Sequence, residues 1–377
     1  MSDGLNMSRR IRRTPYTDRV EAHGVRGFSV VNHMLLPKAY QPSVEDDYWH
    51  LREHVQIWDV SCQRQVEISG PDAAQLVQLM TPRDLRCARV GQCLYVTVID
   101  GEAGLINDPV LLKLADDRFW LSIADSDVLL FAKGIALGRG FNVQVFEPDV
   151  SPLAIQGPKA ERLLCDLFGP QIADIGFFKF AYVDFDGSRQ LIARSGYSRQ
   201  GGFEIYLDDS ALGAKLWDAV WAAGVPYEIR SGCPNLIERI EGGLLSFGNE
   251  MTNANNPLEL RLENYCSLDG EVDYLGRAAL QAIATKGAQR KICGVRFGGG
   301  PGPQCAIPWP VLSAEAEMTK IGQITSSMWS PRLQANVGLS LIERGYWHAG
   351  QAVRVSRPDG VQSDGVVCAL PFDAATH

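Results

Sequence analysis

Hydrophobic positions along the chain recur with two periods, and the switch between them predicts the elements. Val44, Tyr48, Leu51, Val55 and Trp58 fall at helical spacing, Ser43 is placed to cap, and Glu45 and Asp46 sit in the positive first turn, so a helix is expected over residues 43–58. Residues 65–69 read as a strand, and Gly70-Pro71 then opens a helix over 72–80. Pro71 costs no helical hydrogen bond, because an N–H in the first turn has no helical partner. The arrangement returns further on, where Val66-Glu67-Ile68-Ser69-Gly70-Pro71-Asp72-Ala73 is echoed by Leu153-Ala154-Ile155-Gln156-Gly157-Pro158-Lys159-Ala160. Strands are expected over 94–99, 109–114 and 119–124 after the first copy, and over 180–185, 190–194 and 202–207 after the second. A helix closes each set, at 126–137 and 210–223. This double use predicts two related α+β lobes, at a spacing far too long for a solenoid. From Gly287 the texture changes to short alternating runs at 321–326, 337–342 and 353–356, divided by Gly and Pro, which predict a small antiparallel β-domain.

Composition narrows the class. With 46% hydrophobic and 21% charged residues the chain is too apolar to be disordered, and 377 residues suffice for two or three domains with cores of their own. The excess of 44 acidic over 36 basic residues leaves a net charge of −8, which argues against a nucleic-acid protein held by phosphate contacts. No apolar run approaches the ~20 residues of a membrane-spanning helix. The arm from Met1 to Pro15 is basic through Arg9, Arg10, Arg12 and Arg13 but lacks the apolar stretch of a secretory signal, and reads as a flexible or surface-hugging segment. Nine cysteines, odd in number, scattered and without a C-x-x-C pair, form neither a disulfide framework nor a zinc knuckle. They are expected as buried thiols in a reducing compartment, the cytoplasm.

The common chemical signatures are missing. His50-Leu51-Arg52-Glu53-His54 matches the zinc-peptidase pattern H-x-x-E-H, but the apolar stripe of its helix turns both histidines to one side and no third ligand is marked, so hydrogen-bonded or solvated histidines and no metal are expected. The run at Gly298 is neither a P-loop nor a dinucleotide fingerprint, and Gly196-Tyr197-Ser198-Arg199-Gln200-Gly201 lacks the spacing of a nucleophile elbow. What remains is polar residues in apolar company. Asn107-Asp108-Pro109 directly precedes an apolar strand, either as a carboxylate at the strand mouth or as an Asx turn. Glu204 and Tyr206 alternate with Phe203 and Ile205, so the first pair shares one side, facing a pocket or solvent. Arg239, in a helix expected over 235–245, is explained by a surface salt bridge with Glu238 or a neighbour.

Gly104-Leu105-Ile106-Asn107-Asp108, the segment from Arg194-Ser195-Gly196 through Gly202-Phe203-Glu204-Ile205, Arg239-Ile240-Glu241-Gly242-Gly243-Leu244 and Gly322-Gln323-Ile324-Thr325-Ser326-Ser327 together resemble the folate-dependent aminomethyltransferase (glycine-cleavage T-protein) family, in the same order over roughly residues 55–355. Asn32-His33-Met34-Leu35-Leu36-Pro37, Ile123-Ala124-Asp125-Ser126-Asp127, Ser151-Pro152-Leu153-Ala154 and Gly232-Cys233-Pro234-Asn235 look most like the members that demethylate a small sulfonium compound. The resemblance implies an α+β, three-domain T-protein-like architecture: two related lobes plus a C-terminal antiparallel β-domain around a central folate channel. It divides the chain into a first folate-binding domain of residues 1–58 and 146–275, a second of 59–145, and a C-terminal domain of 276–377. It also implies tetrahydrofolate as methyl-accepting cosubstrate and a small sulfonium donor as partner. No nucleic acid or membrane is involved, and a homodimer is compatible with it.

By the same resemblance Glu204 holds the pterin ring, its carboxylate accepting two N–H bonds from the aminopyrimidinone edge. Asp108 is the catalytic group near the reactive nitrogens, Tyr95 and Ser122 are further cofactor contacts, and Arg239 anchors the glutamate end. Tyr206 and Tyr197 bind the substrate, since an aromatic face attracts a sulfonium by about 0.5–2 kcal/mol. One departure matters: the T-protein pattern usually has two acids where this chain has Asn107-Asp108, which weakens the aminomethyl-transfer reading. A sulfonium methyl is already activated, because sulfur leaves as a neutral thioether. The enzyme then has only to hold N5 of tetrahydrofolate in line and disperse its developing charge. The sequence leaves open another methyl donor (a betaine or methoxy-aromatic), aminomethyl transfer, and non-catalytic folate binding.

Overall fold

The computed structural model describes residues 8–372; the first seven residues of the basic arm lie outside them. The described part of that arm hugs the surface, with Arg12 paired to Glu147 and Arg13 to Asp18 and Glu21. The chain divides into two compact units. One takes Met1–Met80, Leu85–Val96 and Asn107–Asn235, the other Thr81–Asp84, Thr97–Ile106 and Leu236–His377.

The first unit holds two sheets, one for each copy of the repeated motif. The five-stranded sheet runs in the order Gln144–Phe146, Gln65–Ser69, Arg118–Ser122, Val110–Ala115, Cys93–Tyr95. The six-stranded sheet runs Phe180–Phe185, Ser188–Ala193, Gly202–Asp208, Val150–Gln156, Gln56–Asp59, Arg230–Ser231. Alternation along the strands assigns the faces. Leu153, Ile155, Phe203, Ile205 and Leu207 pack outward on the helices Ala160–Phe168 and Gly213–Gly224, through Leu163, Leu164, Leu216 and Trp217. Burying each such side chain is worth roughly 1.5–3 kcal/mol. On the other face Val150, Leu191, Ala193 and Tyr206 meet Cys93, Leu112 and Trp120 of the five-stranded sheet, so the two sheets share a seam.

The repeated Gly-Pro motif has one structural meaning in both lobes. Gly70 and Gly157 end their strands at φ +124° and +122°, and helices follow at Ala73–Met80 and Ala160–Phe168. A side chain is excluded twice over at Gly157, because a Cβ would lie 2.3 Å from the His54 carbonyl oxygen in a backbone region that L-residues avoid.

One predicted helix is too long. Ser43 caps as expected, its hydroxyl accepting from the N–H groups of Glu45 and Asp46 at 3.1 and 3.4 Å, but the helix is Val44–Glu53 and the chain then extends into the strand Gln56–Asp59. That strand is buried at every position, paired antiparallel to Val150–Gln156 and parallel to Arg230–Ser231. A strand covered on both faces has no polar alternation, and Val55 and Trp58 fell into helical register with the preceding stripe by coincidence.

In the second unit six strands close a barrel: Arg290–Phe297, Ala335–Glu343, Lys320–Ser330, Trp309–Ser313, Ala352–Ser356 and Gln362–Cys368. Val295, Trp309, Val311, Ile324, Ile342, Val355 and Val367 belong to its core. Among the described residues no helix is long and apolar enough to cross a membrane. All nine cysteines are free thiols. Cys62, Cys93 and Cys293 are buried as expected, but Cys87 is exposed and the other five are half-buried.

Candidate active site

The strand Gly202–Asp208 carries the site's acid. Its neighbours place Ala154 on one side of Glu204 and Ala193 on the other, so two methyl groups flank the carboxylate and leave it room. Glu204 faces the seam and is 5% exposed. Ser195 donates to its Oε2 at 2.5 Å and the Tyr206 hydroxyl approaches the same oxygen at 3.4 Å. Among the described residues no hydrogen bond reaches Oε1, which stays available to accept. Burial pushes the Glu204 pKa up, and the bonds from Ser195 and Tyr206 pull it back in part.

The five-stranded sheet supplies the facing row. Gln65, Ser122, Val110 and Tyr95 stand opposite one another on successive strands. Each lies two residues from Glu67, Trp120, Leu112 or Cys93. Trp120, Leu112 and Cys93 line the seam, so the row points the same way. Gln65 donates to Ser122 Oγ at 3.0 Å, and Ser122 in turn lies beside the Tyr206 hydroxyl. Tyr95 donates to Asp108 Oδ2 at 3.0 Å. Glu204, Tyr206, Ser122, Tyr95 and Asp108 thus belong to one unit, on or next to one seam. Tyr197 is half-buried on the loop that joins Ser195 to Gly202.

Three expectations change. Tyr206 does not offer its ring to a cleft: it is 1% exposed and packed 6.2 Å from the Trp120 ring, so only its hydroxyl takes part, on Glu204. Asn107 is fully buried and its amide is engaged elsewhere, donating to Ser126 Oγ at 2.9 Å and accepting from the Ala124 N–H at 3.1 Å, so it fixes the stretch beside Ser122 instead of closing an Asx turn. Arg239, in the second unit, is no surface residue. The helix is only Leu236–Glu241, and the guanidinium lies buried against Glu250 at 3.0 Å and Ser326 Oγ at 2.7 Å. A bulge at Thr325 in the Lys320–Ser330 strand makes this possible: Thr325 and Ser326, which a regular strand would send to opposite faces, both bond Glu250.

The paired histidines are structural partners. His50 Nε2 donates to the Glu228 carbonyl at 2.8 Å and Nδ1 lies 3.4 Å from Gln56 Nε2, which sets the neutral tautomer; burial lowers its pKa to about 4. His54 Nδ1 faces Lys159 Nζ at 2.7 Å, and the same ammonium donates to Glu228 Oε1 at 3.1 Å. Among the described residues no group of three or more His, Cys, Asp or Glu is placed to hold a metal. Ser195 and Gln65 complete the site without having been singled out by the pattern, since a serine in a glycine-rich loop and a glutamine at a strand start are ordinary residues there.

Two family models match along the chain. The GCVT N-terminal domain matches residues 16–270 and the glycine cleavage T-protein C-terminal barrel domain matches 290–373. The chain belongs to the glycine cleavage T-protein family. Within that family it is 48% identical to dimethylsulfoniopropionate demethylase DmdA of Ruegeria pomeroyi over 355 residues, which take in 94% of this chain and 96% of that protein. It is 30% identical to an aminomethyltransferase of Listeria monocytogenes serotype 4b over 321 residues, 83% of this chain and 85% of the other. The T-protein fold itself is shared with the glycine cleavage system aminomethyltransferase T of Bartonella henselae, at a TM-score of 0.85 and 24% identity, covering 97% and 98% of the two chains.

Proposed function

We propose that the protein moves a methyl group from dimethylsulfoniopropionate to N5 of tetrahydrofolate, giving methylthiopropionate and 5-methyltetrahydrofolate. The observation that carries this is the 48% identity, over nearly the full length of both chains, to a demethylase of that substrate. The site's chemistry supports it. A pterin presents two N–H donors on one edge, and Glu204 offers a buried carboxylate with one oxygen still open between two alanines. The methyl–sulfur bond breaks with its electrons going to sulfur, N5 supplies the pair for the new bond, and the N5 proton is released to solvent.

The chain's part is to hold and to stabilise. Glu204 and Ser122 seat the pterin. Asp108, oriented by Tyr95, faces N5 and stabilises the positive charge that grows there. Tyr197 stacks on the sulfonium, while Tyr206 contributes through its hydroxyl. The buried amide of Asn107, where an acid would favour aminomethyl transfer, speaks for demethylation. The protein works in the cytoplasm, and a homodimer is compatible with this reading.

The test offers purified protein and tetrahydrofolate a panel of donors: dimethylsulfoniopropionate, a betaine, a methoxy-aromatic, and an aminomethylated carrier. Products are read by mass spectrometry. Methylated folate and methylthiopropionate from the sulfonium alone are expected. Turnover of another donor reassigns the substrate, and binding without turnover makes the protein a folate-binding module.

A further inference from the structure

We infer that Gln156 is a positioning residue for Glu204, acting through Ser195. The inference deepens the proposed folate site and rests on that reading only for its link to ligand affinity.

Gln156 ends the strand Val150–Gln156 and is 1% exposed. Its Nε2 donates to the Ser195 carbonyl at 3.1 Å and lies 3.4 Å from the Phe203 carbonyl, while its Oε1 accepts from Ser198 Oγ at 2.8 Å. One amide therefore joins both ends and the middle of the loop between strands Ser188–Ala193 and Gly202–Asp208. Two glycines make room for it. A Cβ on Gly196 would lie 2.1 Å from Nε2, and one on Gly202 2.7 Å from it; both glycines adopt positive φ, +153° and +140°. The loop is built around a side chain of the neighbouring strand. An amide is the one group of this size with a donating and an accepting end, and the loop presents carbonyls to the first and a hydroxyl to the second.

The peptide so fixed is that of Ser195, whose hydroxyl bonds Glu204 at 2.5 Å. The bond favours the charged carboxylate against the burial that opposes it. If Gln156 lets the Ser195 peptide drift, Glu204 loses that bond and takes up a proton at a higher pH. The other titratable groups that face Glu204 are Tyr206 on its own strand and Cys93 from the facing sheet; its cross-strand neighbours are the uncharged Ala154 and Ala193.

The experiment compares wild type with Gln156→Leu, Ser195→Ala, the double variant and Ser198→Ala. The first readout needs no ligand: the ionisation of Glu204, followed by the carboxyl band in infrared titration and assigned by its loss in Glu204→Gln. The second is tetrahydrofolate affinity by calorimetry across the same pH range. Ser195→Ala should move the titration to higher pH and weaken folate about tenfold at its acidic end. Gln156→Leu should move it the same way, and adding it to Ser195→Ala should move it no further. Ser198→Ala, which frees only one end of the amide, gives a smaller shift in the same direction and serves if Gln156→Leu does not fold. A Gln156→Leu or Ser198→Ala titration at the wild-type position, or shifts that add in the double variant, overturn the inference and leave Gln156 as core packing. If wild type binds no tetrahydrofolate, the functional reading fails while the infrared arm still decides the role of Gln156.

Discussion

Tyr95 holds Asp108: its hydroxyl donates to Oδ2 across 3.0 Å from the edge strand of the five-stranded sheet. Asp108 follows directly on Asn107, itself locked to the stretch beyond Ser122 by two hydrogen bonds. A carboxylate held on both counts is already oriented, and a preorganised charge of this kind is what the role proposed for Asp108 requires.

Asp108→Asn should therefore separate binding from chemistry. The amide keeps the shape and one acceptor for Tyr95, so tetrahydrofolate still binds. Methyl transfer from dimethylsulfoniopropionate falls by about 10², the lower end of what preorganised groups supply. Single-turnover kinetics at saturating folate measure it, and a wild-type rate would reduce Asp108 to a turn residue.

Glu204→Gln should cost folate affinity and not stability. A hydrogen bond to a charged carboxylate is worth about 1.5–3 kcal/mol, which calorimetry reads as a loss of at least tenfold. The buried charge that the variant removes is one that the fold has to desolvate, so its melting temperature should not drop. Unchanged affinity would falsify the pterin assignment.

His50→Ala with His54→Ala should leave methyl transfer intact, and metal analysis of the wild type should find no stoichiometric zinc. The pH dependence of stability is a second check. His50 has its folded pKa near 4, below the unfolded value of ~6.5, so the unfolded chain binds more protons between these values. The contribution of neutral His50 is complete above the unfolded pKa and is lost as pH falls toward 4. Urea unfolding at a series of pH values should show a shallower decline across this window for His50→Gln.

Glu250→Ala should destabilise the protein by about 3–5 kcal/mol, because it leaves the buried Arg239 without its counter-charge. Pairing it with Arg239→Leu should recover most of that loss. Equal melting temperatures for the two variants would mean that the ion pair is solvated after all.

Gly157→Ala should unfold more easily than wild type by at least about 1–3 kcal/mol, since it combines a strained φ with a clash on the His54 carbonyl. Gly24→Ala, at φ +81° but with nothing near its missing side chain, isolates the backbone share of that cost. Thermal unfolding of both variants gives the comparison.

What could be read from the residues alone followed local periodicity. The strand at Gln65–Ser69 and the alternation that puts Glu204 and Tyr206 on one side are both period-two patterns, and both stand in the structure. The two Gly-Pro turns announced themselves by repetition. Periodicity could not tell which of two faces becomes a seam between sheets, so Tyr206 looked as fit for a ligand as for a core. It also ran the helix past Glu53, because a doubly covered strand carries no alternation. Arg239 was misplaced for a related reason: its partner Glu250 lies beyond the end of the helix and the bulge at Thr325 comes from distant chain, while helical spacing points only to Glu238. Gln156 lay inside a recognised motif, yet its work is done across a loop some forty residues on, through glycines whose meaning appears only once the amide is in place.

The strand Gln56–Asp59 also has a consequence in time. It sits between Val150–Gln156 and Arg230–Ser231, so residue 56 leaves the ribosome long before either of its neighbours exists. The adjacent hairpins from Phe180 to Asp208 can pair as soon as they emerge, while the early strand, with Ile57 and Trp58 still uncovered, must wait unpaired for chain that is still being made. Such long-range pairing is slow to form and leaves a nascent chain exposed to aggregation. Synthesis past Ser231 is the step that lets this sheet close, and a chain stopped before it should be captured by chaperones where the full-length protein is released.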